Sequence, residues 1–142
     1  MESFNLSQSW CEVIAKAADV CLKPWRHAVV GTDNMPCPDS NLNDLKIGVQ
    51  QEPLDFVVRI ESRDSEGLRH PDRDLELEVY RSGNDVNLLL SWFGQPERPI
   101  LWQGKHPVWM DGINGKKCVV PIDGELIESL ARRLKALLET SS

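Results

Sequence analysis

The stretch HPVWMDGINGKKC, residues 106 to 118, places a histidine, an aspartate and a cysteine close together in the chain. A thiol and an imidazole are the parts of an activated cysteine nucleophile, which would make Cys118 the attacking group and His106 its base. No family signature surrounds Cys118, and no third residue that would orient the base is identifiable. The same stretch carries Asp111-Gly112 and Asn114-Gly115, dipeptides that favour turns because these residue types tolerate positive φ. On the turn reading, Trp109 and Met110 pack and Cys118 behaves as a small buried apolar residue. A docking loop is the third reading, since Trp and Met are favoured anchors at protein interfaces. The turn explains the most residues.

Three further constellations invite chemistry. A calcium loop at Asp111-Gly112-Ile113-Asn114-Gly115 would need several spaced oxygen ligands and a terminal bidentate acid, but two lysines follow instead. Cys11, Cys21, His27 and Cys37 are zinc-type ligands, yet none of their spacings forms the close knuckle usual in structural zinc sites. Glu76 and Glu78 share a strand face, as acid–base chemistry would require. Arg59 on the preceding strand explains them as cross-strand ion pairs. The P-loop, G-x-G-x-x-G, G-x-S-x-G and HExxH patterns are absent. No catalytic residue, metal ligand or cofactor is therefore expected. The residues proposed to meet a partner are His106, Trp109, Met110 and Asp111 from the loop, with Tyr80 and Phe93 from the polar side of a hairpin. Leu89 lies between those two, and Leu101 or Trp102 lies on the next strand.

Composition narrows the partner. The chain has 142 residues, a formal net charge of −6, and 16 Lys and Arg against 22 Asp and Glu. Duplex binding needs a basic field that displaces counterions from phosphates, and anionic membranes select the same feature. Neither nucleic acid nor membrane insertion is expected, and no apolar run approaches the ~18 residues of a spanning helix. MESFNLSQSWCEV lacks the basic and apolar regions of a signal peptide, so the four cysteines are expected as reduced cytoplasmic thiols.

The elements that must position these residues follow from periodicity. Leu6, Trp10, Val13, Ile14, Ala17 and Cys21 make one stripe of a helix over about 7–22, with Ser9 and Glu12 as a capping box, or Asn5 or Ser7 as the cap instead, and Pro24 as the stop. Residues 31–53 are rich in turn formers and read as loop, with 42–49 open to either helix or strand. Phe56, Val58 and Ile60 alternate with polar residues along a strand from Asp55 to Glu61. A two-residue Gly83-Asn84 turn pairs Ser82 with Asp85, and hence Val79 with Leu88, Leu77 with Leu90 and Leu75 with Trp92. All six apolar residues then share a face, which a one-residue slip would destroy. Further strands are expected at Ile100–Gln103, Val108–Met110 and Lys117–Val120. The final helix follows Asp123, with Leu126, Ile127, Leu130, Ala131, Leu134, Leu137 and Leu138 as its stripe and a Glu128–Arg132 pair on its surface.

Helix, consecutive strands, helix is an α+β order. The expectation is a single domain over 1–142: an antiparallel β-meander of about four to six strands with an N-terminal and a C-terminal helix packed on one face. Such a protein would act without catalysis, through a protein partner or as a homodimer, as an assembly factor, adaptor or small chaperone-like protein. The alternative is an enzyme or ligand-binding protein with a pocket between sheet and helices.

Overall fold

The computed structural model describes residues 10–31 and 55–139. Helix α1 (Trp10–Cys21) leads into β1 (Arg26–Gly31). The strands β2 (Asp55–Arg63), β3 (Leu75–Ser82), β4 (Asp85–Trp92), β5 (Ile100–Gln103) and β6 (Pro107–Met110) follow, and helix α2 (Gly124–Glu139) closes the order. The strands form one six-stranded sheet in chain order, antiparallel throughout. This is the α+β meander that the alternation predicts.

The β3–β4 register is the one that the Gly83-Asn84 turn requires, with Leu75 opposite Trp92, Leu77 opposite Leu90 and Val79 opposite Leu88. Gly83 takes φ 64 at the turn, a conformation that costs glycine little and other residues more. Alternation then carries one apolar face across the sheet: Phe56, Val58 and Ile60 on β2, Leu101 on β5 and Trp109 on β6 are all buried. Trp10, Ile14, Ala17 and Ala18 of α1 join this cluster, as do Ile127, Leu130, Ala131, Leu134 and Leu138 of α2. Both helices therefore cover the same face, and Trp10 meets Phe56 edge to face with ring centroids 4.8 Å apart. The end of α2 is fastened to β4 by Lys135 Nζ, which donates to the Val86 carbonyl at 2.6 Å and reaches the Glu139 carboxylate at 2.7 Å.

Three expectations change. Lys117–Val120 is not a strand. A single bridge joins Lys117 to Met110, and Cys118 N donates to Trp109 O at 2.9 Å, after which the chain leaves the sheet. Leu126 is not in the buried stripe of α2 but 50% exposed, because the stripe that meets the sheet begins one residue later. Strand β1 is an addition. Its RHAVVG sequence alternates poorly and five of its six residues precede the segment read as loop, but pairing with β2 fixes its register from Arg26–Arg63 to Gly31–Val58. The proposed N-terminal cap and the segment 42–49 lie outside the described residues.

The link between β2 and β3 is held by two carboxylates. Asp64 Oδ1 accepts the backbone N–H groups of Glu66 and Leu68, and its other oxygen lies 2.9 Å from His70 Nε2. Asp74, with its side chain wholly buried, accepts Ser62 N at 2.8 Å, Arg59 through Nε and Nη2 at 3.0 and 2.8 Å, and both Arg69 Nη groups at 2.9 Å. Burial would raise its pKa, but these donors win and hold the carboxyl below its usual range. Arg59 is thereby taken by Asp74, and the expected pairing with Glu76 and Glu78 is not made. Glu78 is instead pushed up, by burial first and then by Asp55 and Glu76.

Two predictions follow from this arrangement. Leu77→Ala should cost about 2–5 kcal/mol, the range for a fully buried leucine. Glu78→Gln should leave stability at pH 7 unchanged or raised by less than about 1 kcal/mol, because the fold already favours the neutral form. Equal losses in denaturant melts would refute the assigned faces. Asp74→Ala should cost about 3 kcal/mol by stranding two arginines. A depressed carboxyl pKa stabilises the fold above the unfolded value and ceases to do so as pH falls through the folded one. The gap between wild type and Asp74→Ala should therefore close on acidification, and a gap that stays constant from neutral to strongly acidic pH would rule out this role.

Candidate functional site

The 106–118 stretch is built as a turn. Asp111 Oδ1 accepts Ile113 N at 2.7 Å and Asn114 N at 3.1 Å, while Asn114 Oδ1 accepts Lys116 N at 2.8 Å. The backbone closes around them through Gly115 N to Asp111 O and Asp111 N to Lys116 O. Gly115 has φ 72. A Cβ at Gly112 would lie 2.3 Å from the carbonyl oxygens of Pro96 and Arg98, so the turn rests directly on the 96–98 backbone. Trp109 is 4% exposed, and its Nε1 donates to Glu128 Oε2 at 2.7 Å. Glu128 also makes the expected pair with Arg132 at 3.9 Å. Trp109 thus belongs to the core and joins β6 to α2, and Met110 is half-buried on the opposite side of β6.

The nucleophile is not assembled. Cys118 packs against the core cluster, whereas His106 is exposed beside the β5–β6 connection and lines a cleft on the other side of the sheet. Neither side chain hydrogen-bonds to the other. The oxygens of the would-be calcium loop already accept backbone N–H groups. Among the described residues, no group of three His, Cys, Asp or Glu is placed to hold a metal ion. Of the zinc candidates, Cys37 lies outside the described residues. His27 is buried and turned to Asp19, with Nδ1 3.0 Å from its carboxylate, and burial outweighs that carboxylate in pushing its pKa down. Cys21 and Cys118 are free thiols. Cys11 is disulfide-bonded, which corrects the expectation of four reduced cysteines, because the lack of a leader-like sequence does not report the oxidation state of a thiol.

The sheet face away from the helices places the remaining candidates. Phe93 is capped by the Arg59 guanidinium, 3.9 Å from the ring centroid. Tyr80 lies at the other end, where its hydroxyl accepts Trp102 Nε1 at 2.8 Å. A cleft of about 450 Å³ opens there. Tyr80, Trp102 and Val108 form its apolar wall, and Ser82, Asp85, Lys105 and His106 stand around its rim. The Trp102 ring lies over Gly104, where a Cβ would approach the ring carbons to 2.4 Å. Asn87, opposite Tyr80 on β4, also lines the cleft although only 6% exposed, and its side-chain amide bonds to no other side chain or backbone group among the described residues. The structure thus joins Tyr80 and His106, which the sequence separates. Asn87 was missed because an asparagine on the polar side of a strand carries no signal of burial.

A second feature lies beyond β6. Val119 is 86% exposed, Val120 49%, Ile122 100% and Leu126 50%, with Ile113 at 81% in the preceding turn. Their apolarity alone would have predicted burial. Between sheet and helices a void of about 20 Å³ lies beside Trp25 and Ile127.

A family model described as a domain of unknown function, DUF8659, matches residues 11–137. The chain belongs to this family. The DUF8659 match contains the cleft and the exposed 119–126 segment as well as both helices. Neither a curated protein nor a solved structure matches the chain. No helix among the described residues is long and apolar enough to cross a membrane.

The turn reading sets a clear expectation for its tryptophan. Trp109→Ala should lower stability by about 3–5 kcal/mol, read in denaturant melts. Trp109→Phe should cost less, because it keeps most of the packing and loses the bond to Glu128. A Trp109→Ala variant that melts like wild type would place the ring outside the core.

Proposed function

We propose that this protein acts without catalysis, by docking another protein chain on the apolar segment between β6 and α2. The observation that carries this is the exposure of Val119, Val120, Ile122 and Leu126. Two of the sequence expectations that fail, a strand over Lys117–Val120 and Leu126 in a buried stripe, fail at this one place. Residues patterned for burial but left wet are what an interaction surface requires. The neighbouring strand β6 is the last of the sheet, with its Trp109–Met110 end already joined to Lys117 and Cys118.

The net charge of −6 favours a protein over a nucleic-acid partner. The void beside Trp25 and Ile127 is only about 20 Å³, which weighs against the alternative of a pocket between sheet and helices. The argument for a cytoplasmic setting from reduced thiols is weakened by the Cys11 disulfide, since such bonds persist best in oxidising compartments.

Ile122→Asp tests the docking surface, because a fully exposed side chain contributes little to the fold. Sedimentation equilibrium measures self-association, and quantitative capture with wild-type and variant bait measures a foreign partner. The expected result is an unchanged melting temperature with a loss of about 2 kcal/mol in association, roughly thirtyfold in Kd. A wild-type protein that stays monomeric, with a captured set identical to that of Ile122→Asp, would rule the proposal out.

A further inference from the structure

The cleft at the Tyr80–Trp102 end of the open face is separate from the docking segment and has the composition of a small-ligand site. Its volume of about 450 Å³ lies within the usual range of such clefts. Asn87 is the decisive group. The residue is 6% exposed, yet it lines the cleft and its amide bonds to no other described residue, so its hydrogen-bonding capacity is open to something outside the chain. Water occupies such a group in the free protein and leaves when a better partner arrives.

The chemistry of that partner follows from the lining. The lining carries one lysine, Lys105, and one aspartate, Asp85, and no cluster of cations converges as phosphate or carboxylate recognition would need. Asn87 presents both a carbonyl and an NH2 group. Tyr80 accepts a hydrogen bond from Trp102, which leaves its own hydroxyl proton to donate. Ser82 and His106 add groups that can both give and take. These groups match a ligand rich in hydroxyls, each of which is donor and acceptor at once. The Trp102 ring is backed by Gly104 on one side and borders the cleft. Its electron-rich face suits the polarised C–H groups of a sugar ring. A planar base would also stack there, but it hydrogen-bonds along one edge, whereas the polar groups here surround the opening. We propose that this cleft binds a neutral saccharide, with Trp102 as the stacking platform and Asn87 as the hydrogen-bonding group at its base.

The test is a titration of the full, isotope-labelled chain with the methyl glycosides of glucose, galactose, mannose and N-acetylglucosamine, and separately with adenosine. The Trp102 indole N–H and the Asn87 side-chain amide are followed by NMR. At least one glycoside should shift both signals saturably, with adenosine weaker. Asn87→Leu should melt near the wild-type temperature, since it removes no hydrogen bond among the described residues, and should bind the same glycoside roughly tenfold more weakly or not at all. Ile122→Asp should bind it like wild type, so failure of the docking surface and failure of the cleft are distinguishable. Three outcomes would overturn the assignment: no saturable shift from any glycoside at tens of millimolar, adenosine binding more tightly than every sugar, or Asn87→Leu binding like wild type.

Discussion

The carboxylate of Asp74 is the contact on which the order of the sheet's open side depends. A wholly buried charge is tolerable only when its lone pairs are filled, and here Ser62, Arg59 and Arg69 fill them. Each donor comes from a different part of the β2–β3 region, so one group fixes the end of β2, the loop that follows and the entry to β3. Its own backbone carbonyl also accepts Phe93 N at 3.0 Å, which extends the link to the end of β4. Because Arg59 is committed to Asp74, it lies across the Phe93 ring, and Glu76 and Glu78 keep their carboxylates without it. The polar face is therefore organised from one end by an interaction that strand periodicity does not reveal.

The two faces of the sheet solve different problems. On the helix side, α1 and α2 supply apolar stripes whose burial, at ~25 cal/mol per Å², is the main source of stability. The other side has no helix among the described residues, and its aromatic groups are held by polar contacts instead: Phe93 under Arg59, Trp102 by Tyr80. The cleft forms where that ordering meets the β3–β4 and β5–β6 turns.

Beyond β6 the chain leaves the sheet. A turn saturated by Asp111 and Asn114 directs it away, and the backbone approach at Gly112 fixes where the turn sits on the 96–98 segment. Trp109 then anchors α2 through Glu128, while the intervening valines and isoleucine remain in water. The tryptophan that invites a docking role is thus the one that holds the core together, and the apolar residues available to a partner come after it.

The sequence by itself determined the fold class, the β3–β4 register and most of both buried stripes, Leu126 excepted. Period-two and period-3.6 patterns record which face each residue shows to a core, and a two-residue turn leaves one register that keeps six apolar residues together. It also marked 106–118 as a turn, through residue types that accept positive φ. What only the tertiary structure decided were relations between residues far apart in the chain. Arg59 pairs with Asp74 and not with Glu76 or Glu78, Tyr80 and His106 share a cleft, Asn87 is buried with its amide bonded to no other described residue, and Val119 to Leu126 are apolar but wet. Periodicity assigns a face; it does not say which neighbour reaches a charge first, or where a sheet runs out of partners. Those outcomes depend on the distances set when the strands assemble, and on them the proposed docking segment and the saccharide cleft both rest.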